Sequence, residues 1–161
     1  MGKGRFFQSG VHFVNAVTSP ATADDLFNTG LVTDVVNLSD YDKVTWVISK
    51  NAGATGTATI QVESCSSAAG ADNTAIPFDY RECVSGDTFG ETTTAAATGV
   101  ATTAGTNTMM VVEVNASELS GTHKYVRLIG TEVVNSPVTG GVTCILSGPR
   151  FTSEVPVTAI V

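Results

Sequence analysis

The stretch Lys43–Glu63, KVTWVISKNAGATGTATIQVE, constrains the fold of this chain more than any other. Val44, Trp46 and Ile48 fall on one side of an extended backbone, with Thr45, Val47 and Ser49 on the other. Further on, Ala58, Ile60 and Val62 alternate with Thr57, Thr59, Gln61 and Glu63. Successive side chains of a strand point to opposite faces, so a period of two marks a strand buried on one side. Asn51, Gly53 and Gly56 supply the permissive backbone that a reversal needs. The stretch is therefore read as two strands joined by a Gly-rich turn, a hairpin, with the only tryptophan, Trp46, anchoring the core.

The same alternation recurs along the chain. Leu31–Leu38 is expected as one strand, closed by Ser39 and Asp40. Ala75–Cys83 is expected as another, starting at Pro77 or lying at a sheet edge, because proline donates no ladder hydrogen bond. Residues 87–107 carry little pattern and read either as a long surface loop or as short strands with weak sides. Thr108–Asn115 is a strand, followed by a single capped helical turn over Asn115–Leu119, with Glu118 three positions after the cap. Lys124–Gly130, extendable to Val134, and Val142–Ser147 complete the set, and Gly148-Pro149 is expected to break the last strand. About seven or eight short strands with turn signals between them, and almost no helical period, predict an all-β fold: an antiparallel β-sandwich or a small, jelly-roll-like β-barrel. Residues 1–23 read as an N-terminal arm, 24–150 as the body and 151–161 as a C-terminal strand or tail.

Charge narrows the partners. Only 14 % of residues are charged, against roughly 25 % in typical domains. The net charge is −7. A chain without a basic run has nothing to displace counterions from phosphates, so nucleic acid is excluded as an expected partner. No apolar run of about 18 residues exists to span a membrane. Lys3 and Arg5 open the chain, and no acid appears before Asp24. The arm is thus basic on an acidic body, and Phe6, Phe7 and Phe13 make it more aromatic than a disordered tail. It reads either as a frayed terminus or as an arm that docks on an acidic neighbour.

The residues offer no recognisable catalytic motif. His12 and His123 are the only histidines and are expected at the surface. Asp72, Asp79, Glu82 and Asp87 are read as a solvated acidic edge, with calcium binding as the less favoured alternative. Asp79 and Arg81, two apart on one face, could pair in a subunit interface, although an exposed pair contributes little. Cys65, Cys83 and Cys144 lack metal-ligand spacing; they are read as buried free thiols, with a Cys65–Cys83 bridge as the alternative. Neither a cofactor nor a metal is expected, and the chain is not read as an enzyme.

Several segments taken in order resemble the head decoration, or cement, proteins of tailed bacteriophages. They are TDVVNL (Thr33–Leu38), GATGTATIQVE (Gly53–Glu63), NTAIPFDYREC (Asn73–Cys83), SGDTFG (Ser85–Gly90), VEVNASEL (Val112–Leu119) and YVRLIGTEVVNSPVTGGV (Tyr125–Val142). The resemblance covers most of the chain and rests on overall likeness, since none of these segments is a chemical motif. It implies a protein made in the bacterial cytoplasm that sits on the outer capsid surface of the virion. Its partners would be the major capsid protein and further copies of itself, commonly as a trimer, bridging neighbouring capsomers. Arg5, Phe6, Phe7 and Phe13 in the arm, with Phe151 and Val155 near the other end, are the candidate contact residues. Removal of residues 1–15 is expected to leave the body folded and to cut occupancy on the shell. The competing readings are a tail or head–tail structural protein and a surface- or glycan-binding β-sandwich.

Overall fold

A computed structural model of the chain describes residues 10–15, 25–150 and 158–160. These residues form two open antiparallel sheets packed face to face, not a closed barrel. The strands are β1 (Val11–Asn15), β2 (Leu31–Val32), β3 (Val36–Asn37), β4 (Tyr41–Ala52), β5 (Thr57–Cys65) and β6 (Thr74–Ile76). They continue with β7 (Phe78–Cys83), β8 (Thr93–Ala95), β9 (Val100–Ala101), β10 (Thr108–Asn115), β11 (Tyr125–Val134) and β12 (Thr139–Pro149). Sheet I runs β1-β12-β4-β10-β7-β8. Sheet II runs β2-β11-β5-β6, with β3 also on β11 and β9 also on β5. The chain passes back and forth between the sheets, and β1-β12-β4-β10 over β2-β11-β5-β6 is the strand order of a jelly roll.

The alternation in Lys43–Glu63 is present, but the hairpin is not. β4 pairs with β10 and β12, whereas β5 pairs with β11, β6 and β9. Residues 53–56 arch from one sheet to the other, so the buried rows Val44, Trp46, Ile48 and Ala58, Ile60, Val62 line opposite walls of one core. The glycines serve the arch: a Cβ on Gly53, which has φ +105°, would collide with the Pro137 carbonyl, and one on Gly56 with that of Ser136. Lys50 ends the inward row of β4, only 3 % exposed. Its Nζ donates to the carbonyls of Gly56 at 2.9 Å and Thr103 at 2.8 Å, tying the arch to a second crossing. Burial pushes the Lys50 amine below its ordinary pKa, partly offset by the charge of Glu82.

Three further expectations change in the same way. Ala75–Cys83 is not one strand: Pro77 separates β6 in sheet II from β7 in sheet I, so the proline marks the point where the chain changes sheets. Leu31–Leu38 is broken at Thr33, whose hydroxyl accepts from the Leu128 amide while its own amide donates to the Leu128 carbonyl. Pro149 still pairs with Tyr41, so β12 runs through Gly148-Pro149. The weakly patterned residues 87–107 hold two short edge strands, β8 on β7 and β9 on β5. The helical turn over Ala116–Glu118 is present, with Glu118 accepting from the Asn115 amide at 2.7 Å.

Described residues toward both ends of the chain touch the body. β1 lies within the expected arm yet pairs with β12 at the edge of sheet I, with Val14 buried in the core. Removing residues 11–15 would therefore strip a strand from the sandwich, and a clean arm truncation stops before Val11. At the other end Ile160 bridges Val36, and the Ala159 carbonyl accepts from the Asn37 amide at 3.0 Å.

Candidate functional site

The register of sheet I places its outward residues in rows. Phe13, Ile145, Thr45, Glu113, Asp79 and Thr94 form one row across all six strands. The next row holds Asn15, Thr143, Val47, Val111 and Arg81, and the one beyond it Gly141, Ser49, Met109 and Cys83. Apolar side chains thus cross the middle of this outer face: Phe13, Ile145, Val47, Val111 and Met109. Phe13 is 39 % exposed and Met109 is 37 % exposed. A sheet face that met only water would carry polar residues at these positions.

The β7–β8 connection folds over one part of this face. Cys83 lies on the outward row yet is buried, its thiol donating to the Gly86 carbonyl at 3.3 Å. Phe89 from the same loop lines two cavities. One, of about 270 Å³, has Val111, Glu113, Asp79 and Arg81 in its wall. The other, of about 290 Å³, includes Met109, Ser49, Cys83 and Asp87. Asp79 and Arg81 do not pair with each other. Asp79 accepts from the Thr94 hydroxyl at 2.7 Å and Arg81 donates to Thr92 at 2.6 Å, stitching β7 to the β8 side. Lys43 and Glu113 form a half-exposed ion pair at 3.1 Å.

The outward rows of sheet II differ. Thr59 stands beside Thr131, Gln61 beside Ile129 and Glu63 beside Arg127. The Glu63–Arg127 pair is well formed, with the carboxylate 2.8 Å from Nε and 2.7 Å from the terminal guanidinium nitrogen. Arg127 also packs against Gly70 in the loop after β5, and Cys65 is buried there.

Neither histidine lies free at the surface. His12 is partly buried against Tyr41, with Nδ1 2.9 Å from the phenol oxygen, and burial lowers its pKa. His123 Nδ1 lies 2.8 Å from Ser64 Oγ. That contact has the form of a nucleophile beside a base. Ser64 is 1 % exposed, however, and faces the sandwich interior, so a substrate cannot reach its hydroxyl. No local pattern in the sequence signals this pair, because the partners are 59 residues apart.

The acids of the expected edge are dispersed: Asp72 bonds Ser66, Asp79 bonds Thr94 and Glu82 bonds Thr103. Among the described residues, no group of three or more His, Cys, Asp or Glu could hold a metal ion, and no helix is long and apolar enough to cross a membrane. All three cysteines are buried and free, so Cys65 and Cys83, in different sheets, form no bridge. Trp46 is fully buried and leaves no exposed tryptophan for a glycan platform. Of the candidate contact residues, Phe13 lies on the outer face of sheet I; Arg5, Phe6, Phe7, Phe151 and Val155 lie outside the described residues. Comparison with protein-family models, with curated proteins and with solved structures gave no match.

Proposed function

We propose that this protein is a structural component of a tailed-phage virion that binds the outside of the capsid shell and bridges neighbouring capsomers. The observation that carries the proposal is the asymmetry of the sandwich. One broad outer face presents a band of apolar side chains from Phe13 to Met109 across its middle, whereas the centre of the opposite face is threonine-rich and ion-paired, with Ile129 beside Gln61 and its exposed valines, Val133 and Val134, at the end of β11. Such a face gains free energy only by being covered, at about 25 cal/mol for each Å² of apolar surface removed from water. The segment likeness to decoration proteins supplies the identity of the covering partner. A cement needs rigidity, contact area and many copies, because repeated weak contacts add up to high avidity.

The test is co-sedimentation of the purified protein with mature, undecorated shells, with bound copies counted per shell. Saturable binding at a number that matches the symmetry sites of the shell is expected. Absence from the shell pellet at micromolar protein would refute the proposal and favour a tail location or a surface-binding module.

A further inference from the structure

We infer that the two cavities beside Phe89 are the seat for the N-terminal segment Lys3–Phe7 of a second copy of this chain, so that copies associate by exchanging arms across sheet I. The inference concerns self-association and does not depend on a shell being the final partner.

Three observations carry it. The first is chemical fit. The cavities share Phe89 as a wall and are floored by Val111 and Met109, an apolar surface suited to Phe6 and Phe7. The second is charge. Asp79 and Glu113 line one cavity, Asp87 lines the other, and Glu91 is exposed on the same loop. Against these four acids stand three bases: Arg81 and Lys50 in the cavity walls and Lys43 beside Glu113. The incoming segment carries Lys3 and Arg5 and no acid. The third is reach and direction. β1 crosses from Asn15, in the row of Val47 and Val111, to Val11, in the row of Ser147, Lys43 and Asn115. The chain preceding Val11 therefore leaves sheet I at the end opposite Met109 and Cys83. To reach its own cavities it would have to reverse at once, whereas a neighbour can receive it along its existing direction. Residues 1–9, fully extended, span at most about 30 Å, about twice the width of three strand steps at about 4.8 Å each, so the segment is long enough to lie across the sheet I of a neighbour.

Sedimentation velocity of the full chain over a range of concentrations tests this in the absence of any shell. Wild type is expected to self-associate reversibly, more weakly at high salt, because the arm contact is partly electrostatic. Phe6→Ser with Phe7→Ser is expected to weaken association at least tenfold, and so is Asp79→Lys with Asp87→Lys, each variant keeping its far-ultraviolet circular dichroism. Adding Lys3→Glu and Arg5→Glu to the groove variant is expected to restore association. A wild type that stays monomeric, or an arm variant that associates like wild type, overturns the inference. Groove reversal that the arm reversal fails to rescue overturns the pairing of these two regions. Shell binding is a separate readout, so either idea can fail without the other.

Discussion

The outer faces of sheets I and II are built on equally regular alternation, yet they carry different side chains. On sheet I the outward rows centre on Val47, Val111, Ile145 and Met109. On sheet II they centre on Thr59, Gln61, Glu63 and Arg127. The inward rows of both sheets are apolar apart from buried polar residues such as Lys50, Ser64 and Thr108, and they build one core, so packing of the sandwich does not require the difference. What differs is what each face is suited to meet. A threonine-rich face with a closed Glu63–Arg127 pair at its centre needs little cover there, and its exposed Val133 and Val134 lie at the end of β11. An apolar band across four strands is stabilised when something covers it. Both faces shelter a buried cysteine near a loop, Cys65 on sheet II and Cys83 on sheet I, so loop cover is common to both and the apolar band is not.

The largest expected effects lie between the faces. Trp46 and Val47 are neighbours on β4 that point opposite ways. Trp46→Ala is expected to cost about 3–5 kcal/mol in urea unfolding, as large-to-small core changes do. Val47→Thr is expected to change stability by no more than about 0.5 kcal/mol. Comparable losses at the two positions would mean that the outer face of sheet I is itself part of the folded core.

Cys144, facing the core from β12, makes the interior sensitive to alkali. Burial, with a smaller contribution from Asp34, pushes its pKa from 9.0 up to about 12. Between these values the unfolded chain gives up the proton and the folded chain keeps it. Stability is thus intact below pH 9 and falls by about 4 kcal/mol as pH rises to 12. Lys50, shifted downward by burial, acts in the opposite sense below pH 10.5 and offsets part of the loss. Chemical unfolding of Cys144→Ala across this range should give a flatter profile than wild type. An equally steep profile would assign the alkaline loss to other groups.

On sheet II, Arg127→Ala is expected to cost about 1 kcal/mol, because its pair with Glu63 is partly screened. The same change removes the side chain packed against Gly70, so Cys65 should react faster with a thiol reagent while Cys83 is unaffected. Equal acceleration at both cysteines would indicate general loosening instead of loss of one loop's cover.

Alternation made the strands and their inward faces legible in the sequence: Val44, Trp46 and Ile48 are buried as the pattern implies, as are Val142, Cys144 and Leu146. Pairing was not legible. The alternation of β4 and β5 suits adjacent strands in one sheet as well as facing strands in two. Only the close approach of Gly53 and Gly56 to residues 136–138, distant in sequence, distinguishes the arch from a hairpin turn. Pro77 marks a strand limit in the sequence, but the change of sheet across it depends on tertiary packing. The outward band of sheet I was half visible: Val47 and Val111 break the polar half of their strands. Its continuity with Ile145 and Phe13 needs the register of four strands. Phe89 and the Ser64–His123 contact left no local signal, since each depends on a loop or partner placed by the fold.

The most direct measurement is shell binding by two matched charge variants, Val47→Glu on sheet I, which lines neither cavity beside Phe89, and Thr59→Glu on sheet II, each checked for an unchanged thermal transition. Val47→Glu is expected to lose most of its occupancy on mature shells, by tenfold or more in affinity, while Thr59→Glu binds like wild type. Retained binding by Val47→Glu together with loss by Thr59→Glu would contradict this and make sheet II the face that meets the partner.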